Sequence, residues 1–282
     1  MKFLRFGAMG QEKPGALDAE GTIRDLSSIV SDFTPETISK EALSAIAAMD
    51  LSGFPTVAPD VRIGACVGGA RNFYAVGLNY ARHAKETGNP EPAEPVLFSK
   101  STSSICGPND PIILPKGSEK TDWEVELGVI IGAACEHVSE DTALDHVAGY
   151  CVINDVSERT YQIERGGQWI KGKSSRNFGP IGPWLVTADE VGDPQNLGLC
   201  LSVNGESFQN SSTSDMIFPV AKIISYMSQF MRLMPGDVIA TGTPEGVGLG
   251  LTPPKFLRDG DVVELTVAGL GSQRQTVVAY PG

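Results

Sequence analysis

Apolar and polar positions alternate with two different periods along the chain, and this pattern divides it into short strands and a few helices. Met1 to Phe6, Gly15 to Asp18 and Thr22 to Leu26 alternate every second residue and read as strands joined by glycine-containing turns. Leu43, Ile46, Ala47 and Met49 then recur at helical spacing behind Thr37 or Ser39, either of which can start a helix. Further strands are predicted over 73–77, 96–100, 112–114, 122–131, 148–153, 184–186 and 199–203, the last turning at Asn204-Gly205 into a hairpin partner over 207–210. Short helices are predicted over 78–86 and 142–146, and a longer one over 216–231 with an apolar stripe. Residues 235–240 form a strand that empties into the glycine-rich stretch 241–250, and 261–266 with 275–278 close the chain as paired strands. The polar segment 168–183 reads as a loop. Pro55, Pro59 and Ile63-Gly64 read as a connector, which gives a small N-terminal unit (1–65) and a main domain (66–282).

One strand carries chemistry. In Asp122-Trp123-Glu124-Val125-Glu126-Leu127, side chains two apart share a face, so Glu124 and Glu126 point one way while Trp123, Val125 and Leu127 point the other. The alternation alone leaves open whether the glutamate face meets water or the interior. If it is interior, two ionised carboxylates need a cation, because an unpaired buried charge is expelled or neutralised. A second apolar run, 148–153, ends in Asn154-Asp155 and places a third carboxylate at a strand terminus. Three carboxylates without Cys or His suit a hard cation, Mg²⁺ or Mn²⁺.

Other candidates are weaker taken singly. His83 and Glu86 are three apart on a predicted helix, close enough for the carboxylate to orient the imidazole as a general base, and equally able to be an exposed helix contact. Lys100 ends a strand. Lys171, Lys173 and Arg176 lie in the polar segment, where a lysine can hold an anion or stay solvated. Arg159 and Gln162 follow Asp155 at spacings that would align all three along one helical turn. The glycine-rich stretch can bring backbone N–H groups to an anion, but it lacks the Gly-Lys-Ser/Thr of a phosphate loop. His137 and His146 lie in polar sequence and read as solvated.

Composition narrows the classes. A formal charge of -12 leaves no basic face for nucleic acid. No apolar run reaches the roughly 18 residues of a membrane span, and the first residues lack the apolar core of a secretory signal. Five scattered cysteines, without a paired Cys-x-x-Cys, read as free thiols, so the expected compartment is the cytoplasm.

Taken together, Val76-Gly77-Leu78-Asn79-Tyr80-Ala81-Arg82-His83, Glu124-Val125-Glu126-Leu127-Gly128, Ile153-Asn154-Asp155, Gly172-Lys173-Ser174, Gly179-Pro180-Ile181-Gly182-Pro183 and Thr241-Gly242-Thr243-Pro244-Glu245-Gly246 resemble, in order, the fumarylacetoacetate hydrolase superfamily. The resemblance implies a mixed β-rich α+β fold, a β-sandwich roll with the N-terminal unit added, and a homodimer acting on a small 2-oxo acid. It implies Glu124, Glu126 and Asp155 as ligands of Mg²⁺ or Mn²⁺, His83 with Glu86 as the water-activating dyad, and Lys173 as the active-site lysine. Gln162 and Thr243 are implied as substrate contacts, with Arg159, Tyr80 and Lys100 as further candidates. The implied reaction is hydrolysis of the C3–C4 bond of a 2,4-dioxo acid with release of pyruvate. Isomerases, decarboxylases and lyases of the same superfamily are the alternatives, and an inactive metal-bound homodimer is a remote one. Residues 10–15, 117–124 and 164–169 are most similar to its 2,4-diketo-3-deoxy-L-rhamnonate or fuconate hydrolase subgroup. Leu78, and Ser174-Ser175-Arg176-Asn177 after the lysine, depart from commoner family patterns.

Overall fold

A computed structural model describes residues 1–282. Its centre is the antiparallel pair Val125–Ile131 and Val147–Asn154, in which every residue of both strands is buried. The pair lies inside a ten-stranded sheet. On one side Val238–Ala240, Phe73–Gly77 and Val96–Lys100 follow, and on the other Gly179–Thr187, Lys2–Phe6, Lys13–Leu17 and Ile23–Asp25. A five-stranded sheet packs against it, built on the hairpin Gly198–Val203 and Glu206–Ser212. The mixed, sheet-rich α+β architecture is the one expected.

The alternation in the central strand separates two cores. Trp123, Val125, Leu127, Val129 and Ile131 face the five-stranded sheet and join a cluster that includes Leu201, Val263, Leu265 and Ile223. Ile130, on the other face, packs with Phe3, Phe33, Leu43 and Ala148 beneath the N-terminal segment. Fully burying such side chains contributes about 1.5–3 kcal/mol each, which fixes the register. Glu124 and Glu126 therefore face inward, and the alternative left open by the pattern is resolved.

The N-terminal segment extends the main sheet: Lys2–Phe6 pairs antiparallel with Gly179–Thr187 across the expected boundary near residue 65. Helix α1 (Lys40–Ala47) starts where Ser39 accepts a hydrogen bond from Ala42 N, and it buries Leu43 and Ile46. Helix α2 (Ala81–Glu86) follows Leu78, whose φ is 55°.

Four expectations change. Segment 168–183 is a short helix, Ile170–Lys173, followed by a strand from Gly179; burial of Phe178 and Ile181 outweighs the loop-like composition. The helix expected over 216–231 covers only Val220–Ser228, since Pro219 fixes its start. Asp155, Arg159 and Gln162 do not share one helical turn, because Asp155 ends the strand register and Gln162 lies in a π-helical turn, Thr160–Glu164. His137 is exposed as expected, whereas His146 is half-buried and its Nδ1 has no partner. All five cysteines are free thiols, and no helix is long and apolar enough to cross a membrane.

Candidate active site

The strand is interrupted where the carboxylates begin. Asp122 takes the Trp123 N–H onto its own Oδ1 at 2.8 Å, and Asn154 Oδ1 and Gln209 Oε1 accept the next two backbone N–H groups, of Glu124 and Val125. With side chains replacing the sheet ladder, every donor is satisfied at the break. Glu124, Glu126 and Asp155 then converge, each with a carboxylate oxygen within 4.8 Å of the others.

Cations surround two of the three. Lys173 Nζ donates to Glu124 Oε2 at 2.6 Å and to Asp155 Oδ2 at 2.7 Å. Lys100 Nζ donates to Asp155 Oδ1 at 2.5 Å and to the Val156 carbonyl at 3.2 Å. Arg159 Nη2 lies 2.8 Å from Glu124 Oε1, and its Nη1 donates to Gln162 Oε1 at 2.9 Å. Glu126 has no cationic partner. Its Oε2 accepts only the Gly242 N–H, at 2.7 Å. Gly242 has φ +103° and a Cβ there would lie 2.6 Å from Asn79 Cβ, so this close approach of backbone to carboxylate requires glycine.

The electrostatics follow. Burial raises the Glu124 carboxyl, but Lys173 and Arg159 outweigh it and hold it at about 2. Burial, with Asp155 and Glu124 beside it, pushes Glu126 well above the usual carboxylate range. Burial lowers Lys100 despite Asp155, whereas at Lys173 the attraction of Asp155 and Glu124 overcomes burial and raises it. One interior carboxylate therefore lacks a positive charge. A three-oxygen donor set short of one cation fits a hard divalent ion, Mg²⁺ or Mn²⁺.

His83 is buried, with Nδ1 2.9 Å from Glu86 Oε1. Glu86 is fixed in turn by the Gly246 N–H, at 2.9 Å to Oε2. The glycine-rich stretch does serve anions, but they are the protein's own carboxylates: Glu126, Glu86, and Asp122 through the N–H groups of Gly248 and Leu249.

A cavity of about 310 Å³ gathers the three carboxylates, His83, Lys173, Arg159, Gln162 and Thr243, together with Phe98 and Trp169. Tyr80 and Lys100, expected as further substrate contacts, do not line it. Lys100 is spent on Asp155 and Val156. Tyr80 is packed in the core at the start of α2, its hydroxyl buried without a partner. Asp122 was not singled out, though it shares the i, i+2, i+4 spacing of Glu124 and Glu126. Nor was Trp169, whose ring stands over Gly77 and edge-on to Phe98 at 5.2 Å. A single tryptophan in polar sequence gave no sign of that.

The model of the fumarylacetoacetate (FAA) hydrolase C-terminal family matches residues 72–278, and the chain belongs to this family of enzymes. A Burkholderia lata protein, provisionally named a hydrolase, is 60% identical over 276 residues, 98% of each chain. Among solved structures, fumarylacetoacetate hydrolase from Exiguobacterium antarcticum superposes with a TM-score of 0.85 at 39% identity over 99% of both chains. The 5-carboxymethyl-2-hydroxymuconate delta-isomerase of Mycobacterium smegmatis gives 0.78 at 33% identity, again over 99% of both chains. The maleylpyruvate hydrolase of Sphingobium sp. SYK-6, in complex with manganese(II) and pyruvate, gives 0.82 at 29% identity over the same shares. Members of the family thus include hydrolases and isomerases of oxo acids, and the carboxylate cluster fits a divalent cation.

Proposed function

We propose that this protein hydrolyses the C3–C4 bond of a 2,4-dioxo acid and releases pyruvate, with Mg²⁺ or Mn²⁺ held by Glu124, Glu126 and Asp155. The observation that carries this reading is His83, held by Glu86, in the wall of the cavity that the three carboxylates also line. Motif similarity puts 2,4-diketo-3-deoxy sugar acids of the rhamnonate or fuconate type among the first substrates to try.

Glu86 holds the Nδ1 side of the imidazole, which leaves Nε2 to take a proton from water. The water oxygen adds to C4. The C3–C4 bond then breaks with its electron pair left on C3, and the C4 fragment departs as a carboxylic acid. The proton held by His83 passes to C3, so one water is consumed and one pyruvate formed. Lys173 has three N–H donors, of which two are committed to Glu124 and Asp155, and the third is available to the anionic pyruvate fragment. When bound, the divalent cation supplies Lewis-acid charge opposite the 2-oxo carboxylate.

A second reading, isomerisation of a 2-hydroxydienoic acid or decarboxylation of oxaloacetate, is supported by the likeness to the delta-isomerase. It needs the carboxylates and Lys173 but gives Glu86 no water to activate. The test is a panel of 2,4-diketo-3-deoxy-L-rhamnonate, acetylpyruvate, fumarylpyruvate, oxaloacetate and a 2-hydroxydienoate, assayed with Mg²⁺ or Mn²⁺ and with EDTA. Metal-dependent pyruvate release with a carboxylic acid as co-product is expected from at least one dioxo acid. Turnover of oxaloacetate or the dienoate alone would overturn the hydrolytic reading.

A further inference from the structure

The inventory of charges around the cavity limits what the departing acyl group can be. Three carboxylates line it, with Arg159 and Lys173 as the only arginine or lysine in the wall. Both are committed. Arg159 Nε donates to Asp122 Oδ2 at 2.8 Å, with Nη2 beside Glu124 and Nη1 on Gln162. Lys173 bridges Glu124 and Asp155. Beside the carboxylates stand His83, Gln162 and Thr243, and the rest of the wall is apolar (Val76, Leu78, Phe98, Ile163, Trp169, Leu249) apart from the neutral Thr87 and Asn89.

Cations close in sequence do not supply the missing charge. Lys171 belongs to the same short helix as Lys173 but is exposed and outside the wall. Lys85 and Arg82, on α2, lie outside the wall, in a neighbouring pocket that shares Asn89 with it. A substrate's 2-oxo carboxylate faces the cation site, whereas a second carboxylate at the other end would meet apolar side chains and no lysine or arginine. An anion desolvated without a partner is strongly disfavoured.

We propose that the cavity selects 2-oxo acids whose far end is uncharged, so that the leaving acyl group is neutral and aliphatic or hydroxylated, and that it discriminates against dicarboxylic substrates. This rests on the 2-oxo acid reading above. Asn89 Nδ2 is committed to Thr87, which leaves the Asn89 carbonyl oxygen to accept from a substrate hydroxyl. The selection works through exclusion of the wrong charge, since no lysine or arginine stands among the apolar residues of the wall to pair with it.

The test uses two chain-matched 2-oxo acids that cannot be hydrolysed at C3–C4, 2-oxohexanoate and 2-oxohexanedioate, titrated calorimetrically into the Mg²⁺-loaded protein. The monoacid is expected to bind at least tenfold tighter. Ile163, at the rim and 52% exposed, offers a place to add the missing cation without disturbing the core. The Ile163→Arg variant is expected to narrow the ratio to threefold or less by tightening the diacid. Equal or tighter binding of the diacid by the unmodified protein would overturn this inference and leave the proposed reaction standing. Failure of both acids to bind would remove the 2-oxo acid reading and this inference with it.

Discussion

Asp122 and Arg159 close on each other beneath the carboxylate cluster, with Arg159 Nε and Nη2 at 2.8 and 2.7 Å from Asp122 Oδ2. Both are buried, and Asp122 also accepts the N–H groups of Trp123, Gly248 and Leu249. One carboxylate therefore ties the strand break, the glycine-rich stretch and the guanidinium beside Glu124. Removing one member of a buried pair strands the other, so Asp122→Ala is expected to lose about 3–5 kcal/mol of stability. Urea unfolding of the variant checks this, and a loss under about 1 kcal/mol would contradict the arrangement.

On the proposed reading, His83→Ala removes the group that takes a proton from water. Turnover of the best dioxo acid is expected to fall by about 10²–10⁴-fold, with Mn²⁺ affinity by calorimetry unchanged. Glu86→Gln should fall less, because it weakens orientation and basicity but leaves the imidazole. Undiminished turnover in His83→Ala would take the dyad out of the mechanism.

In the metal-free protein Glu126 is buried beside two like charges, and its carboxyl is raised. A raised carboxyl binds its proton more tightly folded than unfolded. Its effect on stability is thus favourable at low pH and is lost as pH rises from the ordinary carboxylate value through the raised one. Metal-free Glu126→Gln is therefore expected to melt above the metal-free parent at pH 8, by a few degrees, since about 1 kcal/mol shifts the midpoint of a chain this size by roughly 2–4 °C. Adding Mg²⁺ should raise the parent and leave the variant nearly unmoved. Thermal scans at pH 5 and pH 8, with and without EDTA, decide it; a variant less stable than the metal-free parent at pH 8 would refute the assignment.

A Cβ on Gly77 would stand 2.3 Å from the Trp169 ring. Trp169 immediately precedes the short helix that carries Lys173. Gly77→Ala should displace the ring, shift tryptophan fluorescence and raise KM at least tenfold, with little change in the unfolding midpoint. An unchanged KM would mean that Trp169 does not shape the cavity.

Tyr80 buries a hydroxyl with no partner, and burial, then the charge of Glu126, drives its ionisation upward. Replacement by phenylalanine removes an unsatisfied polar atom, so Tyr80→Phe is expected to be neutral or up to about 1 kcal/mol stabilising. Its turnover should equal the parent's. A tenfold loss of activity would restore Tyr80 as a substrate contact.

The central strand was legible because period-two alternation is a local property: Trp123, Val125 and Leu127 on one face already implied Glu124 and Glu126 on the other. The inward direction of that second face was not, since it depends on Ile130 packing with Phe3 and Leu43 from far away in the chain. His83 and Glu86 were readable as neighbours on one turn, but their buried place opposite the carboxylates depends on Gly246, 160 residues beyond Glu86. The two expected contacts that lie outside the cavity lining share one cause. Lys100 and Tyr80 sit beside functional motifs in sequence, while their side chains are spent on Asp155 and on the core. Segment 168–183 failed because its polar composition says nothing of Phe178 and Ile181, which the sheet buries.

The strand Lys2–Phe6 finds one of its two neighbours at once, in Lys13–Leu17, but the other is Gly179–Thr187. At roughly 5–20 residues per second, synthesis of the intervening stretch takes on the order of 10–35 s. For that interval a hairpin carrying Phe3, Leu4 and Phe6 has one edge open to any other nascent chain. The order of assembly thus leaves this hairpin edge unpaired until residues 179–187 have been made, after the central strand pair 125–131 and 147–154 is already available.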